Sequence, residues 1–221
     1  RASIARYNQN RQAISELFEL RNAAPWRALA TESYLILYAG CLLPVEEHTQ
    51  LVRDYVAGVK QADRPMRDNA RVLLTGAFCE QPPLGLIRTL EMAGCYIVWD
   101  DMSIGRRWLE QDVGLTGDPI EALSDAFLQH SITTAVKYEP TIDRTIPLRR
   151  LVEGARAEGV VFAAPSFCDP ALLEQPMLTQ ALDRAGVPWT AFKYSENLGQ
   201  FQVIREQAGT FADSIKLWSE S

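Results

Sequence analysis

Along the first third of the chain apolar residues recur at helical spacing, and beyond it they gather into short continuous runs. Ile4, Tyr7, Arg11, Ile14, Leu17, Phe18 and Arg21 step by three and four, the period of one helix face, until Asn22 to Pro25 breaks the pattern. Two more helices are predicted over about 25–40 and 44–60, and the polar stretch Gln61 to Asn69, with Pro65 inside it, reads as a connector. From there the runs take over. Arg71-Val72-Leu73-Leu74-Thr75-Gly76 predicts a strand ending on glycine, Pro82 to Ala93 a helix stopped by Gly94, and Cys95 to Trp99 a second strand closed by Asp100-Asp101. Asp118-Pro119 opens a helix by the N-cap and proline-at-N1 rule and carries it through Leu128. A helix over 147–158, the strand Val160 to Ala164, a helix over 171–185, the strand Trp189 to Tyr194 and a last helix over about 199–218 complete the chain.

Strands that are apolar throughout, alternating with helices, imply a parallel sheet covered on both faces. The predicted fold is therefore α/β: a four-stranded parallel sheet of the flavodoxin or Rossmann type, spanning 69–221, preceded by a helical segment over 1–68. The chain opens on Arg1 rather than Met and is expected to be a fragment or a processed piece. The 221 residues carry a net charge of −6, which argues against a sequence-independent nucleic-acid binder. No run approaches a membrane span. Four widely separated cysteines with no CxxC pair, and no signal-peptide pattern, favour a reducing cytoplasm.

In a parallel sheet the C-terminal strand ends emerge at one edge, so residues far apart in sequence become neighbours there. Here that edge collects Cys79, Asp100, Asp101, Ser103, Cys168 and Asp169. Each has a structural reading beside a functional one. Cys168, in Pro165-Ser166-Phe167-Cys168-Asp169-Pro170, can ligate a metal, act as a nucleophile or merely pack; Cys79 can pack in its turn. Asp100 and Asp101 can cap a helix, pair with Arg106 and Arg107, or line the edge. Cys41 and Cys95 read as core, and His48 and His130 as solvated. No phosphate-loop glycine pattern and no Ser/His/Asp or Cys/His set is present.

Four stretches carry a family likeness: Leu73 to Gly76, Leu90 to Cys95 leading to Asp100-Asp101, Gly159 to Phe162 through Phe167-Cys168-Asp169-Pro170, and Gln202 to Trp218. On these the chain resembles the subunits shared by benzoyl-CoA reductases and 2-hydroxyacyl-CoA dehydratases. The ending, Ile204 to Ile215, looks most like the C (gamma) type of subunit in the ATP-dependent reductase. The opening Tyr7-Asn8-Gln9-Asn10-Arg11 looks like the helix that follows the family's first domain, which implies that the segment 1–68 packs on, or links to, a missing N-terminal domain. The likeness covers nearly all of this chain but only the C-terminal half or so of such a subunit. It implies a [4Fe-4S] cluster held by three cysteines, two from the preceding domain and one matching Cys168, so that this piece alone would hold the cluster weakly or not at all. It further implies benzoyl-CoA as substrate, a homologous second subunit, ATP-hydrolysing electron-activating subunits and ferredoxin as electron source. Many dehydratase-type relatives place a Cys after the paired aspartates, where this chain has Met102-Ser103; that leans towards the reductase branch. A dehydratase subunit, or a metal-free binding or assembly module in which Cys168 packs, are the alternatives. Gln202 and Arg205, on the last helix near the edge, are candidates for supporting or interface roles.

Overall fold

Four apolar runs become the strands of one sheet. In the computed structural model, which describes residues 1–76, 81–104, 107, 110–132, 143–195 and 201–219, the chain runs α1 (Ala2–Ala23), α2 (Ala30–Ala39), α3 (Val45–Gln61), β1 (Ala70–Thr75), α4 (Leu84–Met92), β2 (Cys95–Asp100), α5 (Pro119–His130), α6 (Thr145–Gly154), β3 (Gly159–Pro165), α7 (Asp169–Ala185), β4 (Trp189–Tyr194) and α8 (Phe201–Ser219). All pairings are parallel, in the order β2-β1-β3-β4. The chain starts at β1, steps outward to β2, then crosses back to β3, so the switch in winding direction falls between β1 and β3. β3 is buried along its whole length, as a central strand covered on both faces must be.

Each face has its own core. Leu74, Ile97 and Val161 point to one side, where Leu86, Ile87 and Leu90 of α4 and Ile204, Ala208, Ala212 and Ile215 of α8 cover them. Leu73, Tyr96, Val98, Val160 and Phe162 point to the other, under Leu148 and Val152 of α6 and Leu178 and Leu182 of α7. The first helices form a third core around Leu17, Phe18, Leu37, Val52 and Val56. They are also stitched to the sheet: Ala30 and Tyr34 of α2 belong to the α4–α8 core, and the Glu91 carboxylate caps α2 by accepting from the Ala30 amide at 2.6 Å. The buried side chain of Asn8 imitates a strand partner for Val113, donating to its carbonyl and accepting from its amide, both at 2.9 Å.

Two expectations are overturned, both in the helical segment. Cys41 is exposed, because α2 ends at Ala39 and the thiol follows in a turn. His48 is buried: its Nδ1 lies 2.9 Å from Asn10 Nδ2 and its Nε2 3.0 Å from the Ile36 carbonyl, an arrangement that suits the Nε2–H tautomer. The predicted start of the second helix at Pro25 also moves, since residues 24–29 form a turn and the helix begins at Ala30.

At the winding switch, Gly76 leaves β1 with φ +106°, and a Cβ built there would lie 3.0 Å from the Ala163 carbonyl oxygen of β3. Both backbone and space exclude a side chain, so Gly76→Ala should lower stability by about 1–3 kcal/mol, read by denaturant unfolding.

Candidate functional site

A β-bulge aims the two aspartates. β1 and β2 pair in step as far as Val72 opposite Ile97, after which Leu73 faces Trp99 and Leu74 faces Asp100, so Val98 is the extra residue. Val98 and Trp99 consequently pack towards the same α6–α7 face, and the alternation resumes one residue out of phase. Asp100 and Asp101 then diverge. Asp100 meets α1, where its Oδ2 pairs with Arg21 Nη2, with side chains 2% and 1% exposed; its Oδ1 accepts from the Met102 amide at 3.2 Å. Asp101 turns with Trp99 into a cavity of about 340 Å³ at the C-terminal edge, whose walls include Thr75, Ser131 and Arg144.

Asp101 is buried, 4% exposed. Its Oδ2 accepts from the Thr75 hydroxyl at 2.7 Å, and its Oδ1 has no well-formed hydrogen bond among the described residues. Burial pushes its pKa up to about 6, and the Asp100 charge acts in the same direction; the Thr75 hydroxyl, the Arg107 charge and the Gly76 amide pull the other way. Arg107 is itself 1% exposed and approaches Ser103 Oγ at 3.5 Å. On the same wall Arg144, half-buried, lies 2.8 Å from Glu174 of α7. Burial lowers the Arg144 pKa and raises that of Glu174, each offset by the other's charge. The edge thus holds a carboxylate whose pKa is raised towards neutrality, beside the buried Arg107 and half-buried Arg144 guanidinium groups, a chemistry suited to oxyanions.

The other predicted residues are placed as follows. Cys168 is 4% exposed and sits as the N-cap residue of α7, packed with Ala164 and Ala171 outside the cavity wall. Its neighbour Phe167 is 95% exposed with φ +71°. Asp169 is exposed in the first turn of α7, and Ser103 is half-buried. Gln202 and Arg205 are exposed on α8, Gln202 donating to Glu206 at 2.9 Å. Cys79 lies outside the described residues. Arg21, Thr75, Arg144 and Glu174 were not singled out for the site; a lone Glu174 within Ala171-Leu172-Leu173-Glu174 is the faint signal for one of them. Among the described residues no group of three His, Cys, Asp or Glu side chains could hold a metal. With one thiol at this edge, they do not by themselves provide the three-thiolate set the resemblance implies.

Fold and edge together define a doubly wound α/β domain with its ligand crevice outside the strand C-termini. The chain belongs to the family described as 2-hydroxyglutaryl-CoA dehydratase, D-component, whose sequence profile matches residues 1–215. It is 53% identical over 220 residues to the C-type subunit of benzoyl-CoA reductase from Thauera aromatica, covering 99% of this chain and 57% of that protein. It is 21% identical over 213 residues to the (R)-phenyllactyl-CoA dehydratase beta subunit of Clostridium sporogenes, and 24% over 217 residues to the (R)-2-hydroxyglutaryl-CoA dehydratase beta subunit of Acidaminococcus fermentans. Those two matches each cover 96% of this chain and 56% of the relative. The chain therefore spans a little over half the length of the relatives it matches.

Proposed function

We propose that this chain is the C-terminal part of the iron–sulfur subunit of an ATP-dependent benzoyl-CoA reductase, in which Cys168 supplies one thiolate to a [4Fe-4S] cluster. The observation that carries the reading is the gap in identity: 53% to a benzoyl-CoA reductase subunit against 21% and 24% to the two dehydratase subunits. The other thiolates come from the part of the subunit outside this chain. Cysteine ligation suits a cluster of low potential, and the cluster's contribution is electron delivery.

Adding electrons to an aromatic ring must be matched by protons. Asp101 is the described side chain suited to carry one, since its pKa of about 6 lets it load and release a proton near neutral pH. Arg144, on the same cavity wall, offers donors to negative charge that develops on the substrate. The proposed partners are a homologous second subunit, ATP-hydrolysing electron-activating subunits and ferredoxin, acting in the cytoplasm on benzoyl-CoA. Among the described residues no helix is long and apolar enough to cross a membrane.

The family description itself favours a second reading, a 2-hydroxyacyl-CoA dehydratase subunit, which would eliminate water with no net reduction. The 4% exposure of Cys168 favours a third, a metal-free module in which the thiol packs. The test is to prepare the full-length subunit with its partner anaerobically, with and without Cys168→Ala, and to quantify iron. About four irons per subunit in the wild type, lost in the variant, is the expected result. No iron in either preparation would select the metal-free module. Incubation of the assembled complex with benzoyl-CoA, and separately with a 2-hydroxyacyl-CoA, then separates the two enzymes by which compound is consumed.

A further inference from the structure

A second cavity, of about 420 Å³, lies at the opposite end of the sheet, where the connector after α3 enters β1 and where β2 begins. Its walls include Trp26, Met92 and Tyr96 together with Arg64, Arg67 and Arg88. Two carboxylates reach the same wall, and both are engaged. Glu32 takes Arg64 at 2.8 Å and the Tyr55 hydroxyl at 2.7 Å. Glu91 accepts from the Ala30 and Thr31 amides at the start of α2. The guanidinium groups of Arg67 and Arg88 have no hydrogen bond or ion pair among the described residues. The backbone holds Arg67 in place, its amide donating to the Tyr96 hydroxyl at 2.9 Å. Two uncommitted cations on one aromatic-walled cavity stand out in a chain of net charge −6.

We propose that this cavity is a nucleotide-binding site: a phosphate held by Arg67 and Arg88, and a planar base against Trp26. The guanidinium fork matches phosphate oxygens, and aromatic walls suit a flat ring. The volume falls in the range of small-molecule sites, roughly 300–1,000 Å³, more than a bare inorganic anion needs. An extended acidic peptide would need a groove along an element instead. The ligand has two sources, a free nucleotide or the nucleotide end of coenzyme A; only the second rests on the proposed acyl-CoA chemistry. Strands of six residues put roughly 20 Å between this cavity and the Cys168 edge, so the site reads the nucleotide and takes no part in bond changes.

The test is calorimetric titration of the full-length subunit, free of ATP-hydrolysing partners, with ADP, coenzyme A, adenosine and inorganic phosphate. It is repeated on the Arg67→Ala/Arg88→Ala double variant, with circular dichroism to confirm folding; both positions are exposed. We expect ADP or coenzyme A to bind the wild type more tightly than adenosine or phosphate, and at least tenfold more weakly to the variant. ADP binding without coenzyme A binding assigns a free nucleotide, and tighter coenzyme A binding assigns the coenzyme handle. Absence of binding by both, equal affinity in the variant, or phosphate binding as tightly as ADP overturns the proposal. Iron content, measured on the same preparations, reports on Cys168 separately.

Discussion

Arg21→Ala should destabilise the protein by about 3–5 kcal/mol, because it leaves the Asp100 carboxylate buried without its counter-charge. At this chain length that corresponds to a fall in Tm of roughly 6–20 °C. The pair joins α1 to the end of β2 with both side chains almost fully enclosed, and the Arg21 guanidinium also lies over the Phe18 ring, 4.4 Å from its centroid. The loss therefore combines a stranded charge with a missing cation–π contact of about 0.5–2 kcal/mol. Arg21→Met/Asp100→Leu removes both charges and should recover much of the single variant's loss. A urea cycle of wild type, Arg21→Met, Asp100→Leu and the double variant measures the coupling; a double variant no more stable than Arg21→Met alone would show that the pair is not the reason for the loss. The same melts bear on the proposed division at residue 68. A pair that locks α1 to β2, with α2 sharing the sheet's core, predicts one cooperative transition for all the described elements.

This pair shows where sequence reasoning stops. Elements were legible because local chemistry writes them: β4 spans Trp189–Tyr194 as read, and Asp118 caps α5 by accepting from the Ile120 amide at 2.6 Å. The sheet and its parallel sense followed from the alternation of apolar runs with amphipathic stretches. What stayed hidden depends on partners chosen at long range. Arg21 fits an apolar helix stripe in sequence, and the carboxylate that explains it is 79 residues away. His48 is polar at a helix end, yet Asn10 and Ile36 from two other elements enclose it. The bulge at Val98 leaves no mark, since Cys95 to Trp99 is apolar throughout and either face would accept each residue. That bulge decides the candidate site, because it sends Asp100 to α1 and Asp101 to the cavity.

Asp101→Asn should make the protein more stable at pH 7.5, by up to about 3 kcal/mol, while ending the proposed proton transfer at the cavity. The size follows from a folded pKa of about 6 against about 3.9 in an unfolded chain, at 1.36 kcal/mol per unit. The folded pKa is raised, so the folded state binds the extra proton. Below about pH 4 both states are protonated and the group costs nothing. As pH rises from about 4 to 6 the unfolded state ionises first, stability falls, and above 6 the full penalty remains. Asparagine keeps an oxygen to accept from the Thr75 hydroxyl and never ionises, so its variant should lose this slope and match the wild type near pH 4. Urea unfolding of both proteins between pH 4 and 8 reads the difference directly. If the variant is instead less stable at pH 7.5, Asp101 is a charged partner that Arg107 requires, and the wild type's slope should then run the other way. A buried acid that weakens the fold at working pH, on a cavity wall and placed there by a bulge, fits the proposed proton-transfer role, in which stability and chemistry conflict. A more stable variant with no turnover in the assembled complex is the combination that a purely structural carboxylate cannot produce.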